Sequence, residues 1–298
     1  MMTDTTLESL LRRDRAIVAA AIATLAAVAW IYILWLVAGM GMTDMAMPGS
    51  GTDGAMPMEP GMHMDMDMNM DMGGGPGTDP LDSLLGISPR PWGAVEAAFT
   101  LTMWVVMMVG MMLPSASPMI LLYARVGRQS LRDGKPFASS GYFTGGYLIA
   151  WTGFALVATL GQWLIEGTLL TPALASASRI FSGIVLIVAG LYQWTPLKDA
   201  CLSQCQAPIV FLQRQGGFRS DPRGAMRLGF RHGLYCVGCC WALMGLLFVG
   251  GIMNVLWIAA IALFVLAEKL VPAGRLLSRA AGVALIAFGL WQLAVVPG

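Results

Sequence analysis

The chain has 298 residues, 57% of them hydrophobic and 12% charged, with a mean hydropathy of +0.68 and a formal net charge of +1. Ordinary soluble domains carry about 25% charged residues, so the composition argues against one, and a net charge of +1 offers nucleic acid no electrostatic footing. Runs of roughly 20 apolar residues suit helices that cross a ~30 Å hydrocarbon core, and the alternation of an outer-membrane barrel is missing.

The expected fold is all-α. It is a polytopic bundle of about seven transmembrane helices in the bacterial cytoplasmic (inner) membrane, with the lipid bilayer as its first partner. Residues 1–38 hold a signal-anchor whose span covers 16–38, preceded by Arg12, Arg13 and Arg15. Trp30, Tyr32 and Trp35 mark its far interface. Residues 39–92 read as a disordered linker rich in Met, Asp and Gly, without helical period. Residues 93–298 form a six-helix core.

Its first span, 94–124, is broken or kinked near Pro114 and Pro118. The next spans cover 138–165 and 177–194. Thr195-Pro196 then provides an N-cap with proline at N1, opening a short helix that ends before Pro208. The last three spans cover 228–250, 254–271 and 279–296. With the N-terminus inside, the 18 Lys and Arg residues fall on the cytoplasmic side except Arg90 and Arg179. That asymmetry predicts an extracytoplasmic linker and an outside C-terminus.

Three groups of soft donors stand out. Twelve of the 23 methionines lie in residues 40–72, including Met64, Met66 and Met68 beside His63. A tether needs no thioethers, which are soft ligands for Cu(I). Met103, Met107 and Met111 recur every four residues on the second span, with Met112 beside them. Such a stripe either packs or lines a metal path.

The third group is the densest. His232, Cys236, Cys239 and Cys240 share about a 100° arc of one helix face, in the cytoplasmic half of its span. Single buried cysteines often only pack, but polar groups in lipid need partners. One helix cannot place all four around one ion, because residues one turn apart are about 5–6 Å apart. The remaining ligands would come from span-two methionines or from Cys201 and Cys205, one turn apart on the short helix. No cysteine is expected outside, which argues against structural disulfides. Glu268-Lys269 reads as an interfacial ion pair.

Met111-Met112-Leu113-Pro114-Ser115, Tyr192-Gln193-Trp194-Thr195-Pro196-Leu197-Lys198 with Cys201 and Cys205, and Gly233-x-x-Cys236-x-Gly238-Cys239-Cys240-Trp241 are followed by Met253-Asn254 and Glu268-Lys269. Over roughly residues 93–298 this pattern resembles a bacterial domain-of-unknown-function family of predicted metal-binding integral membrane proteins. The resemblance implies a bound metal. Ligand softness points to copper as Cu(I), with other soft or borderline metals as alternatives.

The expected activity is non-enzymatic: copper acquisition, transfer or delivery to a membrane metalloenzyme or a copper carrier protein. The competing readings are a membrane thiol oxidoreductase built on Cys236-x-x-Cys239 and a structural subunit. A haem protein ranks behind them, since one membrane histidine cannot supply two axial imidazoles.

Overall fold

The computed structural model describes residues 4–45, 93–134, 138–169 and 175–295. Its elements are all α-helical: α1 Asp4–Met45, α2 Ala94–Arg132, α3 Ser140–Leu169, α4 Ala175–Tyr192 and α5 Pro196–Gln206, then α6 Pro208–Arg214, α7 Pro222–Gly245, α8 Leu247–Gly250, α9 Val255–Leu270 and α10 Gly274–Ala294. Five stretches are long and apolar enough to cross a membrane: Ala16–Ala38, Ala94–Ser130, Ser140–Ile165, Pro222–Gly250 and Gly274–Ala294. Helices α4 and α5, bent by 65° at the break between them, together make a sixth.

The expected span over 254–271 is α9, whose 16 residues rise only about 24 Å at 1.5 Å each. It begins where the Asn254 side chain accepts from the Trp257 amide. It stops at Val271, directly before Pro272, as residues preceding proline favour extended backbone.

Two other boundaries differ from the sequence reading. Helix α1 continues through Met45, so the helix ends inside the stretch assigned to the linker. Helix α2 runs unbroken through Pro114 and Pro118. Proline removes a backbone donor, but side chains can re-satisfy the freed groups in a buried helix. Beside Pro114, the Met112 carbonyl accepts from Ser115 Oγ at 2.8 Å and from Tyr147 OH at 3.0 Å.

The short helix starts as its sequence implies. Thr195 caps it through the Lys198 amide, with Pro196 at N1, and it ends at Gln206. Helix α7 begins six residues before the expected 228, because Asp221 caps it through the Gly224 amide and Pro222 occupies N1.

Helix α7 lies at the centre. It packs along α3 and against α5, while α1 lies on α2 and α10 on α4. The α3–α7 seam requires glycine: a Cβ on Gly229 would stand 1.9 Å from the Phe143 carbonyl oxygen, and one on Gly146 would stand 2.0 Å from that of Met226. Small residues let helices approach this closely, the usual device where lipid offers no hydrophobic drive for association. Side chains turned away from the bundle are apolar, among them Ile149, Leu156, Val157 and Leu160 on α3.

Candidate metal centre

Close approach of α3 and α5 brings their side chains against the cysteine face of α7. Cys236, Cys239 and Cys240 are each at most 2% exposed. Cys239 and Cys240 are one turn beyond Cys236, and both thiols donate to its backbone carbonyl, at 3.0 and 2.9 Å. Their sulfurs are thereby drawn inward towards the Cys236 side. Cys205 on α5, half-buried, interacts electrostatically with Cys236 and Cys239. Cys240 Sγ stands 4.0 Å from Met112 Sδ on α2. Sulfurs of α7 and α2 thus come within 4.0 Å of each other in the buried interior.

Cys201 comes close without joining. Its Sγ packs on the α7 backbone, 2.8 Å from where a Cβ on Gly238 would lie. All five cysteines are free thiols. His232 is buried among Phe143, Tyr147 and Phe211, with ring centroids 5.9, 6.0 and 5.1 Å away. Its Nδ1 has no hydrogen-bond partner, an orphaned nitrogen one turn below Cys236.

Two lysines are buried in the bundle, one of them at the cluster. Lys269 Nζ donates to Cys236 Sγ at 2.9 Å and to Ser115 Oγ at 2.8 Å, while Tyr147 OH lies 3.1 Å from the same sulfur. Lys198, fully buried, pairs with Glu268 at 2.8 Å and bonds Gln193 Oε1. Glu268 also accepts from Ser278 Oγ at 2.6 Å. The expected interfacial pair Glu268-Lys269 is therefore not a pair. Neighbouring residues on a helix point about 100° apart, and each finds a different partner inside the protein.

Of the predicted donors, the structure gathers Cys236, Cys239, Cys240, Cys205 and Met112. Met103, Met107 and Met111 are buried in the core along α2. None of the three hydrogen-bonds to the cysteines among the described residues, and Met103 lies about 13 Å along the helix from Met112. His63, Met64, Met66 and Met68 fall outside the described residues. Sequence reasoning assigned no role at the cluster to Tyr147, Ser115 or Lys269. The signal for Lys269 was present, since an ionisable residue in an apolar segment is presumed functional.

A family model described as PpoB2, copper chaperone, matches residues 101–292. The chain belongs to the PpoB2 copper chaperone family. No curated protein and no solved structure matches it. The matched PpoB2 segment contains all five cysteines, Met112, Ser115, Lys198 and Lys269, and leaves out α1 and the methionine-rich stretch.

The donor set fits copper. Thiolate and thioether sulfurs select Cu(I) among biological metals, and the cluster offers both kinds within a dry interior. Among the described residues, no three His, Cys, Asp or Glu side chains are disposed to hold one ion.

Proposed function

We propose that this chain is an integral membrane copper chaperone that holds Cu(I) at the buried sulfur cluster and passes it to a membrane metalloenzyme or copper carrier protein. Cys236 is the central ligand, with Cys205 or Cys239 as the second and Met112 reached through Cys240. The carrying observation is that three cysteines of α7 share one buried face, with Cys240 Sγ 4.0 Å from Met112 Sδ on α2. Residues 128 apart in sequence supply these two sulfurs to one point, which packing alone does not require. Membership of a copper chaperone family supports the same cargo.

Cys201 stands next to the cluster on the same helix as Cys205 and is the natural exit ligand, while Met103, Met107 and Met111 line an approach along α2. His63, Met64, Met66 and Met68 collect copper outside as many weak, exchangeable thioether and imidazole sites. The linker then feeds the core.

Titration of the detergent-purified chain against a chromophoric Cu(I) chelator tests this. One tight Cu(I) per chain is expected in the wild type, and its loss in the variant Cys236→Ser/Cys239→Ser/Cys240→Ser. Full copper retention in that variant would reduce the cluster to packing. A chain lacking residues 42–72 keeps the tight site and acquires copper more slowly at low external metal. A thiol oxidoreductase would instead give metal-free protein with a trappable disulfide between Cys205 or Cys239 and Cys236.

A further inference from the structure

Four basic side chains converge on one concavity at the start of α7, and copper handling uses none of them. Arg219, Arg223, Arg227 and Arg231 line a cavity of about 410 Å³ together with Gln215 and Asp221. Orienting a chain in a membrane requires basic residues on one side, but it does not require them to share a cavity. We propose that this cavity binds the phosphate group of an anionic ligand, either a soluble phosphate compound or the headgroup of an anionic phospholipid.

The surrounding backbone holds part of the site in place. After α6 the chain turns through Gly216 and Gly217, with φ of 80° and 84°, a region glycine enters without steric cost, and Gln215 comes to lie beside α7. Its side-chain oxygen accepts from Arg231 Nη1 at 2.6 Å, and its carbonyl accepts from Arg219 Nη2 at 3.0 Å. Arg223 and Arg227 are exposed and form no ion pair among the described residues. The carboxylate in the lining, Asp221, caps the helix instead, its Oδ2 accepting from the Gly224 amide at 2.6 Å. Arg223, Arg227 and Arg231 recur every four residues on α7, so like charges neighbour each other over successive turns. That arrangement destabilises a helix, and an anion held among the guanidinium groups relieves it.

Guanidinium groups stay charged at any working pH and grip phosphate through two parallel hydrogen bonds. A phosphate group also offers more oxygens than a carboxylate does to several such forks. Ligand cavities commonly measure about 300–1,000 Å³, so this one suits a small charged group rather than the face of a folded protein. Beside the arginine row, Met226, Phe230 and Leu234 on the same helix are exposed. They form an apolar strip along which an acyl chain can lie, and basic pockets at the cytoplasmic ends of membrane helices bind lipid headgroups.

Two probes separate the sources. The full chain in phosphatidylcholine nanodiscs is titrated calorimetrically with inorganic pyrophosphate, and the detergent-purified full chain is tested by native mass spectrometry for retention of phosphatidylglycerol against phosphatidylcholine. Wild type should bind one pyrophosphate per chain if the source is soluble, and should retain phosphatidylglycerol selectively if the source is lipid. Arg223→Gln/Arg227→Gln should weaken whichever is bound by roughly 10–100-fold, the range for loss of a charged hydrogen-bond partner, without lowering the melting temperature. Arg223→Lys/Arg227→Lys keeps the charge but removes the planar fork, and should bind more weakly than wild type even if the glutamine variant folds poorly. Absence of binding to either probe by wild type overturns the site, as does unchanged binding in a folded glutamine variant or equal binding in the lysine variant. Preference for a soluble acidic peptide over both probes would also overturn it and mark the cavity as a protein-docking surface. The copper site stands or falls separately, by the chelator titration.

Discussion

Cys236 faces two ways. Its sulfur meets Lys269 and Tyr147, and its carbonyl oxygen takes the thiol hydrogens of Cys239 and Cys240. Replacing it removes a ligand and also leaves the Lys269 ammonium without its sulfur partner. Cys236→Ser should therefore lower Cu(I) affinity by more than the roughly 10–100-fold that loss of a supporting group costs. Cys240→Ser should stay within that range, because Cys240 turns towards Met112, 4.0 Å away. Competition titration of the two variants checks the order, and equal losses would move the centre towards Cys240. The cysteines themselves were legible in the sequence, because their spacing alone places them on one helix face. Lys269 was not. Its neighbour Glu268 offered an obvious partner in sequence, and only the packing of α5 against α9 shows that Lys198 has claimed that carboxylate.

Helix ends were readable wherever a side chain caps them. Thr195-Pro196 and Asn254 announce their helices, and the amides of Lys198 and Trp257 answer. Asp221-Pro222 carried the same signal but lay within a polar, arginine-rich stretch, where apolar periodicity gave no reason to look for a helix. The prolines of α2 misled for the opposite reason. Local chemistry calls for a break, yet the buried helix runs on through both prolines. Seam geometry can be tested at Gly229. A methyl group there would meet the Phe143 carbonyl oxygen at 1.9 Å, so Gly229→Ala should cost about 1–3 kcal/mol through overpacking. It should also weaken copper binding, since Tyr147 and Cys236 meet across this seam. Thermal unfolding in detergent and the chelator titration read the two effects. An unchanged melting temperature would show that α3 and α7 can part without loss.

At the scale of the molecule, four arginines gather where α7 begins. Arg219, Arg223, Arg227 and Arg231 line a cavity of about 410 Å³ at the start of α7, on the side that the charge asymmetry assigns to the cytoplasm. A reporter fused after Gly298 should be active outside the cell, and activity only in the cytosol would require one span more or fewer. Length governs what could be read here. Apolar runs mark helices, but whether 16 residues such as α9 cross the bilayer depends on tilt, local thickness and the neighbours that shield their ends. The placement of α9 has a further consequence. Glu268 and Lys269 are adjacent, yet one closes a structural ion pair and the other abuts the sulfur cluster, so the helix can be seated in only one rotational setting. Gaining or losing a single residue between Asn254 and Glu268 would turn the end of α9 by about 100° and misplace both charges together. The short helix thus behaves like a key whose two teeth must engage at once, and its length is tolerant of substitution but not of insertion or deletion.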